Sequence, residues 1–419
     1  MRLSRRELLF GAAALPLLGS ESRGSGPGGS QLPRPSVLLI LVDDLAAWML
    51  GCYGNREIRT PNIDILSQSG AHFVRGFAAT PVPAPSRATL LTGRTVRQLG
   101  MLADGPATLA NEVLLSDVLA GAGYECGYCG VWEFGSGPQH GIKFWDQSPD
   151  AAAVSAKALE FLDARKPGQP FFLTASYQLP KAPAPKCRDL YRGASFDGTG
   201  WQPLARNAAG NKAVFDDIVG AIRGAAASVT ALDDEIERLI KKLDERGLRD
   251  ETLIVFTATC GSLVGRHGLW GDGRASEPPN MYEEVVGVPV IWQWQGHIPP
   301  ESVRPEVVGS YEVFPTICDL TQTTPPASAN LSGRSYRPAV VNEPFPKKRP
   351  WVGMCFGQFG KMRMARDRTY KLVLREGGPN ELYDVIHDSG EKVNQYPSPG
   401  YSAVRDVLTK ALDDWSAKF

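Results

Sequence analysis

The chain has 419 residues, 45 Lys plus Arg against 45 Asp plus Glu, and 43% hydrophobic residues, so its formal net charge is zero. That balance supplies no basic footprint for nucleic acid and no charged field for a membrane surface. The length fits two domains, or one large α/β domain with an appendage, and seven cysteines leave at least one thiol unpaired within the chain.

Arg5 and Arg6 precede a short apolar run that ends at Leu18. Twin arginines ahead of such a run resemble a twin-arginine export signal, which implies a periplasmic or extracellular protein. A frayed basic terminus is the other reading, and the run is too short for a stable membrane anchor. Gly24 to Ser30 reads as a flexible linker, so residues 1–30 stand apart as signal and linker.

Val37 to Val42 is a continuous apolar run of the kind that forms a buried parallel strand. Asp43 and Asp44 follow it directly. They read either as a helix N-cap pair or as two carboxylates whose repulsion a cation or donors must offset. In open α/β sheets the ligand crevice lies beyond the carboxyl ends of the strands. The stretch Thr80 to Arg94, TPVPAPSRATLLTGR, predicts an extended entry through Pro81, Pro83 and Pro85, then a short helix capped by Ser86 and ended by Gly93. Arg87 then falls in the first turn, where free N–H groups favour an anion; an ordinary proline-rich loop is the plainer alternative.

Leu114 to Ala122 predicts a helix leading into a strand at Tyr124 to Val131, in which Cys126 and Cys129 read as buried strand residues and not as a redox pair. Asp150 to Ala164 has helical spacing, Pro170 to Ala175 is a strand, and Cys187 to Lys212 is a polar loop. Val229 to Leu243 is an amphipathic helix, acidic early and basic late, stopped by Gly247. Thr252 to Thr257 is a further core strand, 325–350 reads as a linker, and Val404 to Trp415 is a closing helix.

Several of these stretches, in this order, closely resemble the type I sulfatases of the alkaline phosphatase superfamily. Their signature is Cys or Ser-x-Pro-x-Arg followed by an Ala-Ser/Thr-Leu-Leu-Thr-Gly run, and Pro85, Ser86, Arg87 and Ala88 to Gly93 fall into its register. Cys52-Tyr53-Gly54, Thr60 to Asp64, Gly265 to Gly271, Met281 to Glu284 and Val288 to Ile291 match further segments, and the resemblance runs over nearly everything after residue 34. It implies an α/β fold, a mixed sheet sandwiched by helices over 34–340, with a smaller C-terminal α+β subdomain over 350–419. Arg363 to Leu374 and Glu381 to Asp384 resemble that subdomain's strands.

The resemblance also implies what each site position does. Pro83 stands at the nucleophile, where the family oxidises Cys or Ser to formylglycine, and a proline cannot be so modified. Val131 and Glu133 stand at the family's sulfate-binding lysine and proton-transfer histidine. Lys181 replaces a histidine after Pro180, and either Asp272 or Arg274 falls near its second lysine. Asp43 and Asp44 remain from the calcium site, whereas Thr259 and Cys260 occupy its lost ligand positions. His267 reads as structural, and Arg87 as the remaining anion binder. No cofactor is expected, because this calcium site is incomplete. The resulting expectation is an exported, degenerate sulfatase that binds a sulfated or anionic glycan, or a protein partner, without hydrolysis. The alternatives are a hydrolase with relocated chemistry on Ser86, Cys260, Glu133 or Lys181, and a scaffold protein.

Overall fold

The computed structural model describes residues 34–419, apart from 103–107, 136, 138–139, 180, 182 and 345–352. The export signal, its linker, Pro180 and the end of the 325–350 linker therefore lie outside the described residues.

Eight strands form one sheet: β1 (Ser36–Val42), β2 (Ala71–Phe77), β3 (Glu125–Gly130), β4 (Ile142–Asp146), β5 (Phe171–Tyr177), β6 (Thr252–Ala258), β7 (Val290–Gln293) and β8 (Ser302–Gly309). Their order is β4-β3-β5-β1-β6-β7-β2-β8, with β7 antiparallel to both its neighbours and the other pairings parallel. β1 is buried at all seven positions between β5 and β6, as its unbroken apolar run predicts. The carboxyl ends of β1, β3, β5 and β6 consequently share one rim. β2, β4, β7 and β8 have no counterpart among the predicted strands; β2, β4 and β8 are only partly buried, so polar residues interrupt their apolar pattern, and β7 is only four residues long.

Helices cover both faces. α1 (Pro61–Gln68), α4 (Ala151–Ala164) and α5 (Pro185–Asp189) pack on the long α6 (Ile218–Glu245), while α2 (Pro83–Thr92), α3 (Leu115–Gly121), α8 (Val313–Leu320) and α9 (Arg337–Val340) pack together; α7 (Glu283–Val286) is a single turn. α6 extends the predicted helix towards its amino terminus, and Asp233 on it reaches across to accept hydrogen bonds from the Asn62 and Ile63 amides at the start of α1. α9, with Ala339 and Val340 buried, lies inside the stretch expected to be a linker, because those apolar side chains find the flank of α8.

The smaller sheet is antiparallel, in the order β12-β11-β10-β9, formed by β9 (Cys355–Phe359), β10 (Met362–Arg366), β11 (Tyr370–Arg375) and β12 (Glu381–Asp384). α10 (Ser402–Lys418) closes it. Phe356, Met364, Leu372, Leu382, Leu412 and Trp415 share a core with Phe77, Val286 and Tyr311 of the larger layer, so apolar packing continues between the two sheets. Among that packing, Lys371 is fully buried, donates to the Met281 carbonyl at 2.7 Å and pairs with Glu391 and Glu283.

The Thr80–Arg94 stretch departs from expectation in one respect. Val82 is the N-cap and Pro83 the first residue of α2, so the prolines start the helix where the predicted cap was Ser86. The first-turn amides have no intrahelical partner, which makes those positions tolerant of proline. Arg87 is thereby carried into the second turn, away from the free amides. Gly93 does end the helix, in the left-handed conformation at φ 66°.

Candidate functional site

Three backbone segments bring the site together. The β1 end delivers Asp43 and Asp44, the β3 end delivers Val131 to Glu133, and the β6 end delivers Thr259 and Cys260, while α2 lays Arg87 across them. Gly130 permits the join: its φ is 106°, and a Cβ there would meet the Ser176 carbonyl at 1.9 Å.

Arg87 is the centre, and none of it reaches solvent. Its Nη2 donates to both oxygens of Asp43 at 2.5 Å, its Nη1 donates to Glu133, and its Nε donates to Ser176 Oγ at 3.3 Å. Burial works against the guanidinium charge, but Asp43, Tyr128 and Glu133 more than offset it, so the group is held above its ordinary value. Asp43, 3% exposed, also accepts a hydrogen bond from Thr259 Oγ1 at 2.7 Å. The expected open anion binder is therefore closed by this chain's own carboxylates. The reason is geometric: Glu133, at φ 71°, turns back towards the guanidinium instead of facing an incoming ligand.

Asp44 is not a helix cap. It sits at φ 59°, and the next helical turn, Ala47–Met49, has Ala46 as its N-cap. Its carboxyl accepts from Cys260 Sγ at 3.4 Å and is pushed up to about 7, by burial first and then by Asp43 and Asp272, with Cys260 and Arg274 opposing. Burial and the same three aspartates hold the Cys260 thiol well above its usual range, which makes it a poor nucleophile. Ser86 is fully buried and donates to the Thr259 carbonyl, so its hydroxyl fastens α2 to the β6 end.

The remaining positions fall around this centre. Pro83 opens α2 and carries no N–H. Val131 is 7% exposed, and its amide donates to the Ser176 carbonyl at 3.0 Å. Asp272 takes Arg274 in a close pair, with Nε 3.1 Å from both oxygens. Lys181 is exposed and makes no hydrogen bond or ion pair among the described residues. His267 stacks on Tyr282 with centroids 3.8 Å apart and meets Glu284 at 3.1 Å, in a framework role. Sequence reasoning missed Ser176, Tyr128 and Glu284 as site residues, although Tyr128 lies in the predicted strand Tyr124 to Val131 and Glu284 in the matching segment Met281 to Glu284, because neither signal says which way a side chain is directed. It also missed that Arg266 lies 4.0 Å over the Trp48 ring.

Calcium needs roughly six to eight oxygen ligands. Here both Asp43 oxygens point at a guanidinium, while Thr259 and Cys260 arrive as hydrogen-bond donors. No group of three or more His, Cys, Asp or Glu among the described residues is placed to hold a metal. The residues present do not fit a calcium ion. All seven cysteines are free, six of them buried, and Cys126 and Cys129 lie within or beside β3 as expected.

The mixed sheet, the rim of charged strand ends and the small antiparallel sheet define an alkaline phosphatase-like hydrolase fold. Residues 35–323 match the sulfatase family model, and residues 265–418 match the model described as N-sulphoglucosamine sulphohydrolase, C-terminal. The chain belongs to the sulfatase family. It is 23% identical to an N-acetylglucosamine-6-O-sulfatase of Bacteroides thetaiotaomicron, covering 100% of this chain and 92% of that protein. It is 28% identical to human arylsulfatase A, covering 73% of this chain and 68% of that one. A solved structure in complex with its substrate D-glucosamine-2-N,6-O-disulfate superposes with a TM-score of 0.80 at 21% identity, covering 92% of this chain and 98% of that chain. A phosphonate monoester hydrolase of Agrobacterium radiobacter gives 0.77 at 20% identity, covering 92% and 96%. Among the described residues no helix is long and apolar enough to cross a membrane.

Proposed function

We propose that this sulfatase-family chain is an exported, non-hydrolytic member that binds an anionic carbohydrate. The observation that carries the reading is the state of Arg87: each of the three nitrogens of its guanidinium already donates within the chain, to Asp43, Glu133 and Ser176. A sulfate ester entering the cleft has no free fork to grip, and Pro83 offers neither hydroxyl nor thiol for attack. Losing a nucleophile or an electrostatic clamp removes about 3 kcal/mol or more of barrier lowering each, and such losses together leave little above the solution rate. Carbohydrate enters as the ligand class because relatives of this fold are named for sulfated sugars. Export rests on Arg5 and Arg6 ahead of the apolar run.

The test is hydrolysis of 4-nitrophenyl sulfate and 4-nitrophenyl phosphate by purified protein, with and without calcium. No turnover above the solution rate is expected, and Pro83→Cys is expected to leave it so, because Arg87 stays paired with Glu133. Robust, calcium-dependent phenol release by the wild type would end this reading.

A further inference from the structure

Away from the Arg87 centre, a groove of about 560 Å3 runs between the two sheets, walled by β2, the turn at Ala47–Met49, α7 and the loop from Val385 to Ser389. Four guanidinium groups line it, from Arg75, Arg266, Arg366 and Arg368, against the two carboxylates of Glu283 and Glu284. Both carboxylates are engaged. Glu283 takes Arg366 through two bonds of 3.0 Å, and Glu284 takes Arg266 at 3.2 Å and His267 at 3.1 Å.

Two cations are left over. Among the described residues, Arg75 donates to the Pro305 carbonyl at 2.9 Å and has no carboxylate partner within salt-bridge distance, and exposed Arg368 makes no hydrogen bond or ion pair. They are near enough to feel each other. Burial, then the charges of Arg368 and Arg366, push the Arg75 guanidinium below its ordinary value, with Glu283 opposing. Like charges gathered without a counter-charge repel, and a shared oxyanion removes that repulsion while accepting from both forks. Val74 and Ile386, 43% and 54% exposed, give the groove an apolar rim. A ring with a hydrophobic face can lie there while its charged substituent reaches the arginines.

On the binding role put forward above, we propose that this groove holds an oxyanion ester of a sugar between Arg75 and Arg368, in place of the Arg87 centre. The Arg87 pocket already sets two carboxylates, Asp43 and Glu133, against one guanidinium, whereas this one carries unmatched positive charge beside an apolar wall. Sulfate and phosphate esters share the chemistry that the two arginines recognise.

The experiment is calorimetric titration of glucose 6-sulfate and glucose 6-phosphate, with glucose as the uncharged control, at low ionic strength. Wild-type protein should give saturable binding of at least one ester and none of glucose, weakened tenfold or more in the Arg75→Ala, Arg368→Ala double variant. Preference for one ester assigns that ester to the groove. A second measurement needs no variant: the bound ester should protect Arg75 and Arg368 of wild-type protein from phenylglyoxal, read by peptide mass. Identical isotherms for the two proteins, absence of protection, or silence with both esters would overturn the assignment. Ester hydrolysis by a protein that still binds through the groove would instead remove only the non-hydrolytic reading.

Discussion

Replacing Arg87 by Met tests whether the guanidinium has become a structural strut. The substitution keeps an unbranched side chain of similar length in the buried space and removes the charge that Asp43 and Glu133 share. Asp43 is 3% exposed and would keep only the hydroxyl of Thr259 as a donor. Breaking a buried pair by deleting one partner costs about 3–5 kcal/mol, because the abandoned charge stays out of water. Glu133 adds little, about 0–1 kcal/mol, since 39% of its side chain already reaches solvent and it can turn outward. Set against a total of roughly 5–15 kcal/mol for a folded domain, this is a severe loss. Arg87→Met combined with Asp43→Asn removes the orphaned charge as well and should recover most of it, to within about 2 kcal/mol of wild type. Urea unfolding followed by tryptophan fluorescence and far-UV circular dichroism reads the difference through the midpoint at constant slope. A single variant within 1 kcal/mol of wild type, roughly the measurement's resolution, would refute the strut. So would a double variant no better than the single one.

Glu133→Gln should open the Arg87 centre. In a background carrying Arg75→Ala and Arg368→Ala, sulfate at about ten times its dissociation constant should stabilise the Gln variant by about 1.4 kcal/mol and leave the Glu133 parent unmoved; equal thermal shifts for the two would contradict this. Glu284 supplies the pH dependence: burial alone would raise its carboxyl, but the hydrogen bond and charge of His267 and the charge of Arg266 bring it down from 4.5 to about 2. A depressed acid stabilises the fold above its ordinary value and loses that contribution as pH falls through the folded value. Unfolding measured between roughly pH 4.5 and 2 should therefore be flatter in Glu284→Gln by about 3 kcal/mol, and parallel profiles would refute it. Finally, dialysed protein should carry calcium well below one equivalent and melt unchanged after chelation; a stoichiometric ion with a large drop in melting temperature would reverse the donor argument made for Asp43, Thr259 and Cys260.

The sequence by itself determined the central architecture. The apolar runs at Val37 to Val42 and Thr252 to Thr257 read as buried strands, and the periodicity of Val229 to Leu243 as a helix with one buried face; that the two strands are parallel neighbours came from the fold. Motif order after residue 34 carried the family, because glycines, prolines and apolar spacing are local requirements of the chain. The site was legible as a set of positions: Asp43, Asp44, Arg87, Glu133, Thr259 and Cys260 do converge on one rim. What only the tertiary structure decided is how they are spent. Arg87 and Glu133 lie 46 positions apart and Arg87 and Ser176 lie 89 apart, so no local pattern encodes that one guanidinium satisfies all of its partners within the chain. Arg75 likewise lies on β2 of the larger sheet and Arg368 in the turn between β10 and β11 of the smaller one, and their shared groove exists only once those sheets have packed. Pairing of charge is a property of distance in space, and the sequence specifies that distance only through the fold.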